Sequence, residues 1–293
     1  MKRYLDFLPL PFLILTAWEY AHAWSEERAE IVISTQISPP YAYRILIPLL
    51  CRFLSKFSGI SALTAISLVS IAFSIGLFFV IRSLLNRPWA SLLAFLFCEC
   101  LLFLLLWRMK VYDVPTVFFF ALAILLFQRG KLAAYYLLLP IATINRETSF
   151  LLILFFAIYF FKRLPFRSYL LGLVYQGIAY LLIRFVIISA LVYRSGALFY
   201  WQPGIVISEY ASAILPTFLL VLIALIFLYL IFRDWQNKPA LLRAAFLSTF
   251  PVLLIFHFFV GAAFEIRALA EAAPAAFLLA VYPTRKGSTH SKT

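Results

Sequence analysis

Charge is scarce in this chain. Asp, Glu, Lys and Arg together make up 13% of its 293 residues, about half the share of a soluble domain, so an ordinary solvated surface is excluded. Glycine is also sparse, at nine residues. There is no phosphate-cradling Gly-rich loop, no Gly-x-Ser-x-Gly and no Cys-x-x-Cys, which leaves ATPase, serine hydrolase and dithiol-redox chemistry without support. The three cysteines, Cys51, Cys98 and Cys100, build no disulfide framework. Cys98 and Cys100, two apart, point away from each other on a helix and read as packing residues. Alternation of polar and apolar residues is missing too, which excludes a transmembrane β-barrel.

What fills the chain instead is apolar. Hydrophobic residues reach 65% and aromatic residues 18%, with 32 Phe; one core could not bury so much apolar surface without lipid as part of its solvent. Since a bilayer needs about 20 apolar residues per helix, the fold class read here is all-α, a multi-pass transmembrane bundle of about ten spans (9–11). They fall near 5–23, 61–81, 89–107, 114–127, 132–144, 149–161, 169–193, 213–232, 244–263 and 268–282. With the N-terminus inside, 15 of the 25 basic residues lie in inner segments and nine in outer ones, with only Arg184 inside a span. Glu26, Glu27, Glu30, Asp113, Glu147, Glu209 and Glu265 lie outside. This is the positive-inside pattern. It puts both termini in the cytoplasm and explains the net charge of +13 without nucleic acid as a partner.

Residues 1–282 read as one membrane domain and 283–293 as a disordered cytoplasmic tail. Lys2, Arg3, the apolar stretch from Phe7 and Ala21-His22-Ala23 resemble a secretory signal, but Pro9 and Pro11 interrupt the stretch, and an uncleaved signal anchor is expected. The outer loop 24–60 carries an amphipathic segment, about 45–58. Drawn as one helix from Tyr41, it gathers Arg44, Arg52 and Lys56 within roughly a third of the circumference, as for a helix lying on the outer leaflet. Residues 132–144 and 149–161 are too short to cross comfortably, at about 20 Å each. They predict a hairpin whose charged turn, Asn145-Arg146-Glu147-Thr148, is lowered into a cavity. One continuous span would put Arg129 and Lys131 opposite Lys162 and Arg163 and spoil the charge asymmetry.

Four polar clusters therefore share the outer face: Glu26-Glu27-Arg28 with Glu30; Arg108, Lys110, Tyr112 and Asp113; Asn145, Arg146 and Glu147; and Glu265 with Arg267. Guanidiniums bind phosphate bidentately, and a carboxylate near a hydroxyl can act as its general base. Convergence of these clusters would suit a site that holds an anion and moves a proton; any one alone reads equally as a solvated loop. Arg267 and Glu271, four apart, would share a helix face and neutralise each other. Glu99 reads either as a hydrogen-bonding residue within its span or as a functional group, and His257 as an interior histidine. His22 with Glu26 gives two ligands, too few for a metal site. No metal ligand set is assigned.

These features resemble the GT-C class of membrane glycosyltransferases, which use polyprenyl-phosphate-linked sugars. In such enzymes an acidic first outer loop precedes a membrane-parallel helix, as in 24–58. Asp113-Val-Pro-Thr-Val-Phe-Phe-Phe resembles the Asp that opens a later span in lipid A aminoarabinose transferases. Ile141-Ala-Thr-Ile-Asn-Arg-Glu-Thr resembles the basic turn that approaches the carrier phosphate there. Arg267 to Pro274 resembles the Arg-to-Pro spacing of a late span near the site.

The resemblance implies a plasma (inner) membrane transferase. It would move a sugar from a polyprenyl-phosphate donor to a glycan, lipid or protein acceptor at the outer face, with membrane lipids as its surroundings and no cofactor beyond the donor substrate. Glu26 or Glu27 would be the general base, the first loop offering no Asp, and Asp113 would support the sugar or acceptor. Arg146 and Arg267, with Arg108 or Lys110, would hold the leaving phosphate, and Arg44, Tyr112, Asn145, Glu147, Glu265 and Glu271 would complete the binding surface. Two other classes stay open: a transporter or flippase of a lipid-linked anion, using Glu99, Arg184 and Glu271, and a non-catalytic membrane scaffold.

Overall fold

A computed structural model describes residues 7–23, 25–34, 43–85, 87–106, 110–191, 214–260 and 266–282. Among them are twelve α-helices and no strand. The helices are α1 (Leu10–His22), α2 (Glu26–Ile33), α3 (Leu46–Ser58), α4 (Ala62–Leu84), α5 (Ala90–Leu106) and α6 (Asp113–Gln128). Then come α7 (Leu132–Asn145), α8 (Phe150–Phe160), α9 (Phe166–Ala190), α10 (Ile214–Phe232), α11 (Ala240–Val260) and α12 (Ala273–Val281). Each of the ten apolar segments expected from the sequence overlies one of these helices. Three of them, α4, α9 and α11, are both long and apolar enough to cross a membrane, with mean hydropathy of 2.4, 1.9 and 1.8.

Two helices differ from expectation at their starts. α1 begins only after Pro9, with Pro11 in its first turn, because proline is tolerated there and not deeper in the helix. The last segment opens as a 3-10 stretch, Ile266–Ala272, before α12.

α4 is the post of the first half, packed by α1, α2, α3, α5 and α6. Gly76 lets the Phe118 ring of α6 come within 3.0 Å of where a β-carbon would stand. α6 is apolar all round and buried along nearly its whole length, as expected for a helix surrounded by others; beyond α4 it meets α7, α11, α12 and the 266–272 stretch.

The hairpin expected at 145–148 is present. Thr143 and Ser149 hydroxyls are 3.0 Å apart, and the Tyr135 hydroxyl donates to the Leu152 carbonyl at 2.7 Å. In one continuous helix, residues 135 and 152 would be about 25 Å apart. α9 closes over this hairpin where Gly172 meets Tyr136 and Phe156, the small-residue contact by which membrane helices approach closely. Its other face, including Leu171, Leu182 and Phe185, is exposed, an apolar expanse too large for a water-facing surface.

Contacts sort the helix ends into two groups. At one end, the Tyr20 hydroxyl of α1 donates to the Lys110 carbonyl ahead of α6 (3.1 Å), and His22 lies 3.3 Å from Ser67 near the start of α4. The 145–148 turn and the 266–272 stretch join them there. At the other end, the C-terminus of α8 meets the junction of α10 and α11. Basic residues attach this junction to its helices: Lys238 Nζ donates to the Leu230 and Ile231 carbonyls (2.6 and 2.7 Å), satisfying groups that the end of α10 leaves open.

Candidate functional site

The site grows from two helix termini. Tyr112 caps α6 with near-helical backbone (φ −94°, ψ −2°), so Asp113 falls in the first turn, where the helix dipole favours a carboxylate. Thr116 turns back to donate to the Tyr112 carbonyl at 2.6 Å. Opposite, α7 ends at Asn145 because Arg146 leaves helical geometry for an extended one (φ −156°, ψ 144°). Asn145 Nδ2 then donates to Thr116 Oγ1 at 2.8 Å, joining the end of α7 to the start of α6.

That break aims Arg146 into the bundle. Its Nη1 lies 3.3 Å from Asp113 Oδ1 and 3.2 Å from Glu271 Oε1. The Thr148 hydroxyl donates to the same Glu271 oxygen at 2.7 Å, so the 3-10 stretch is tied to the hairpin turn. Next to this, Arg44 Nε donates to Glu147 Oε2 at 3.0 Å, Nη2 faces the other oxygen, and the guanidinium lies over the Tyr112 ring, 4.7 Å from its centre. From α9, the Tyr180 hydroxyl donates to the Glu147 carbonyl (2.9 Å) and Arg184 to the Tyr43 carbonyl (3.2 Å).

Five chain-distant segments thus meet in one network of two guanidiniums and three carboxylates. Asp113 is 0% exposed, Glu271 1%, and Arg44 and Arg146 7% each. Three buried atoms in it, Arg146 Nε, Asn145 Oδ1 and Glu271 Oε2, have no hydrogen-bond partner among the described residues. Burial by itself would raise the Glu147 carboxyl above its ordinary 4.5, but Arg44 first and then Arg146 outweigh it and lower it to about 2. Burial likewise works against the charge of Arg44, and Glu147, Tyr112 and Asp113 more than offset this, holding it firmly protonated.

Of the residues singled out from the sequence, Arg44, Tyr112, Asp113, Asn145, Arg146, Glu147 and Glu271 come together here. Arg44 does so in a different way than expected. It precedes α3, whose cap is Ile45, and turns inward, while Arg52 and Lys56 stay on the exposed face of the helix. The Lys110 carbonyl is held by Tyr20.

Glu26 sits elsewhere. It accepts from the Leu63 amide and the Ser61 hydroxyl, both at 3.3 Å, at the start of α4, and Glu27 is exposed beside it. Arg108 and Glu265 lie outside the described residues, as does the side chain of Arg267. Glu99 is partly buried on α5, and no group of three metal-ligating side chains occurs among the described residues.

Tyr180, Thr116 and Thr148 were not anticipated as parts of the network. Tyr180 stands four residues before Arg184, the one basic residue expected within a span, and so shares its helix face; that spacing was the available signal. No protein family, curated protein or solved structure matches this chain.

Proposed function

We propose that this network is the reaction centre of a membrane glycosyltransferase, acting on a polyprenyl-phosphate-linked sugar at the outer face of the plasma membrane. One observation carries the reading: Arg146, enclosed in an otherwise apolar bundle, is held between two buried carboxylates drawn from distant segments. Charge at such depth is costly and marks function more often than architecture.

In this reading all ten apolar helices serve as spans in a GT-C-like arrangement, with both termini in the cytoplasm. α3 lies along the outer leaflet, which its exposed Leu49, Leu50, Phe53 and Phe57 beside Arg52 and Lys56 support.

The donor phosphate exchanges with a carboxylate as the partner of Arg146, engaging the guanidinium bidentately. The carboxylate so released, Asp113 or Glu271, takes the proton of the acceptor hydroxyl while its oxygen bonds to the anomeric carbon. The bond from that carbon to the phosphate oxygen breaks, and its electrons leave with the lipid phosphate, whose charge Arg146 and Arg44 stabilise. This assigns the base to the Arg146 pair in place of Glu26 or Glu27, because Glu26 is engaged at the start of α4.

Purified protein incubated with a panel of polyprenyl-phosphate sugars should release polyprenyl phosphate from one of them. Arg146→Ala should lower that release by about 10²–10³, with Arg146→Lys retaining part of it. Release that is equal in both variants and the wild type sinks the assignment.

A second reading is favoured by the full enclosure of Asp113 and Glu271: a proton-coupled carrier of a lipid-linked anion, in which the carboxylates exchange protons as Arg146 changes partner. Under it, a labelled polyprenyl-phosphate sugar would cross vesicle membranes unaltered, with no sugar released.

A further inference from the structure

At the other end of the bundle, beyond the far end of α8, lies an open cleft of about 280 Å³. Two arginines line it. The Arg163 guanidinium lies over the Tyr159 ring at 4.3 Å, and that of Arg243 over Trp235 at 5.8 Å. Arg243 stands in the first turn of α11, where the helix dipole adds to its positive field. Its Nη1 has a long contact with Gln236 (3.3 Å), while its Nε is buried with no partner among the described residues. No acidic residue lines the cleft among the described residues.

The backbone helps to build the cleft. Lys162 takes a left-handed conformation (φ 61°) immediately before Arg163, a geometry that costs about 1 kcal/mol or more for a residue with a β-carbon. It turns the chain sharply at the end of α8, and Arg163 follows from that turn. Phe161 and Leu247, both in the cleft wall, are 59% and 44% exposed. They give the cleft an exposed apolar wall beside the two arginines. A polar pocket opening onto an apolar track matches a molecule with an anionic head and a hydrocarbon tail.

We propose that this cleft binds the phosphate of an anionic phospholipid, with the headgroup between Arg163 and Arg243 and an acyl chain against Phe161 and Leu247. A free phosphate would satisfy the arginines and leave the apolar wall uncovered, so the lipid is the occupant favoured. The site stands apart from the buried network and does not depend on the function proposed for it.

The test is native mass spectrometry of the purified full chain titrated with phosphatidylglycerol, in parallel with inorganic phosphate. Wild type should retain the lipid saturably, and Arg163→Ala/Arg243→Ala should weaken it at least about tenfold, the scale of even one lost charge-assisted hydrogen bond. Arg167→Ala, a change of an exposed basic residue outside the cleft, should bind as wild type does. An unchanged thermal midpoint for the double variant separates lost binding from lost folding; if that midpoint falls, Arg243→Gln alone carries the comparison.

Equal lipid retention by wild type and cleft variants overturns the proposal. Equal weakening by Arg167→Ala overturns it as well, since it would mean a diffuse attraction to all basic residues at that end. Displacement of the lipid by inorganic phosphate at comparable concentration would reassign the cleft to the free ion.

Discussion

Arg146 joins two carboxylates of the buried network: it neutralises Asp113 and Glu271 at once. Removing one member of a buried charge cluster leaves the others uncompensated, which typically costs about 3–5 kcal/mol. Arg146→Ala is expected to lower the thermal midpoint sharply, and Asp113→Asn/Arg146→Met/Glu271→Gln to restore most of the loss while abolishing ligand binding. A triple variant as unstable as the single one would show that the charges are not coupled.

Glu147 gives a pH test. Its carboxyl is lowered from 4.5 to about 2 in the fold, so its stabilisation is complete above pH 4.5 and disappears as the pH falls toward 2. The stability gap between wild type and Glu147→Gln should therefore close across that window, and a gap constant with pH would contradict the pairing with Arg44. Burial raises the Cys51 thiol to about 12, so a thiol reagent at neutral pH should leave it unlabelled until the protein is denatured.

Residues of this kind were legible because a charge in an apolar sequence is conspicuous. Glu26 was visible for the same reason, but its attachment to Ser61 and Leu63 depends on pairing across more than 30 residues, which no local pattern encodes. Arg44 was likewise found and misplaced: helical projection carried it one turn too far, because the helix starts after it.

Among the elements, the hairpin of α7 and α8 was the most accurately foreseen, since two short apolar runs around a charged turn leave few alternatives. The change from 3-10 to α geometry at 266–273 was not foreseen. Apolar content alone does not separate the two helix types, and Ala-rich sequence suits either.

The close approach of α9 to the hairpin at residue 172 was also hidden, because it depends on one glycine. A β-carbon at residue 172 would stand 2.5 Å from the Tyr136 hydroxyl and 2.9 Å from Phe156. Gly172→Ala should thus cost about 1–3 kcal/mol by overpacking, whereas Gly177→Ala, with nothing within 4 Å of its β-carbon, should be nearly neutral in the same unfolding measurement. Equal effects would mean that α9 does not close on the hairpin at that point.

For the whole molecule, hydropathy located the ten apolar helices, and charged residues gather at both ends of the bundle. Arg163, Trp235 and Arg243 meet at one end of α8, and Arg44, Asp113, Arg146 and Glu271 meet at the other. The order in which helices touch was not legible, since an apolar surface is compatible with many neighbours. It took the full arrangement to show α6 as the helix that both halves share.

The polarity of the molecule makes the central claim testable at a distance from the second site. Titration of the purified protein with polyprenyl phosphate, read by native mass spectrometry, should show saturable binding that weakens at least tenfold in Arg146→Ala and persists in Arg163→Ala/Arg243→Ala. Binding lost in the second variant and kept in the first would contradict the account, by moving the lipid phosphate to the opposite end of the protein.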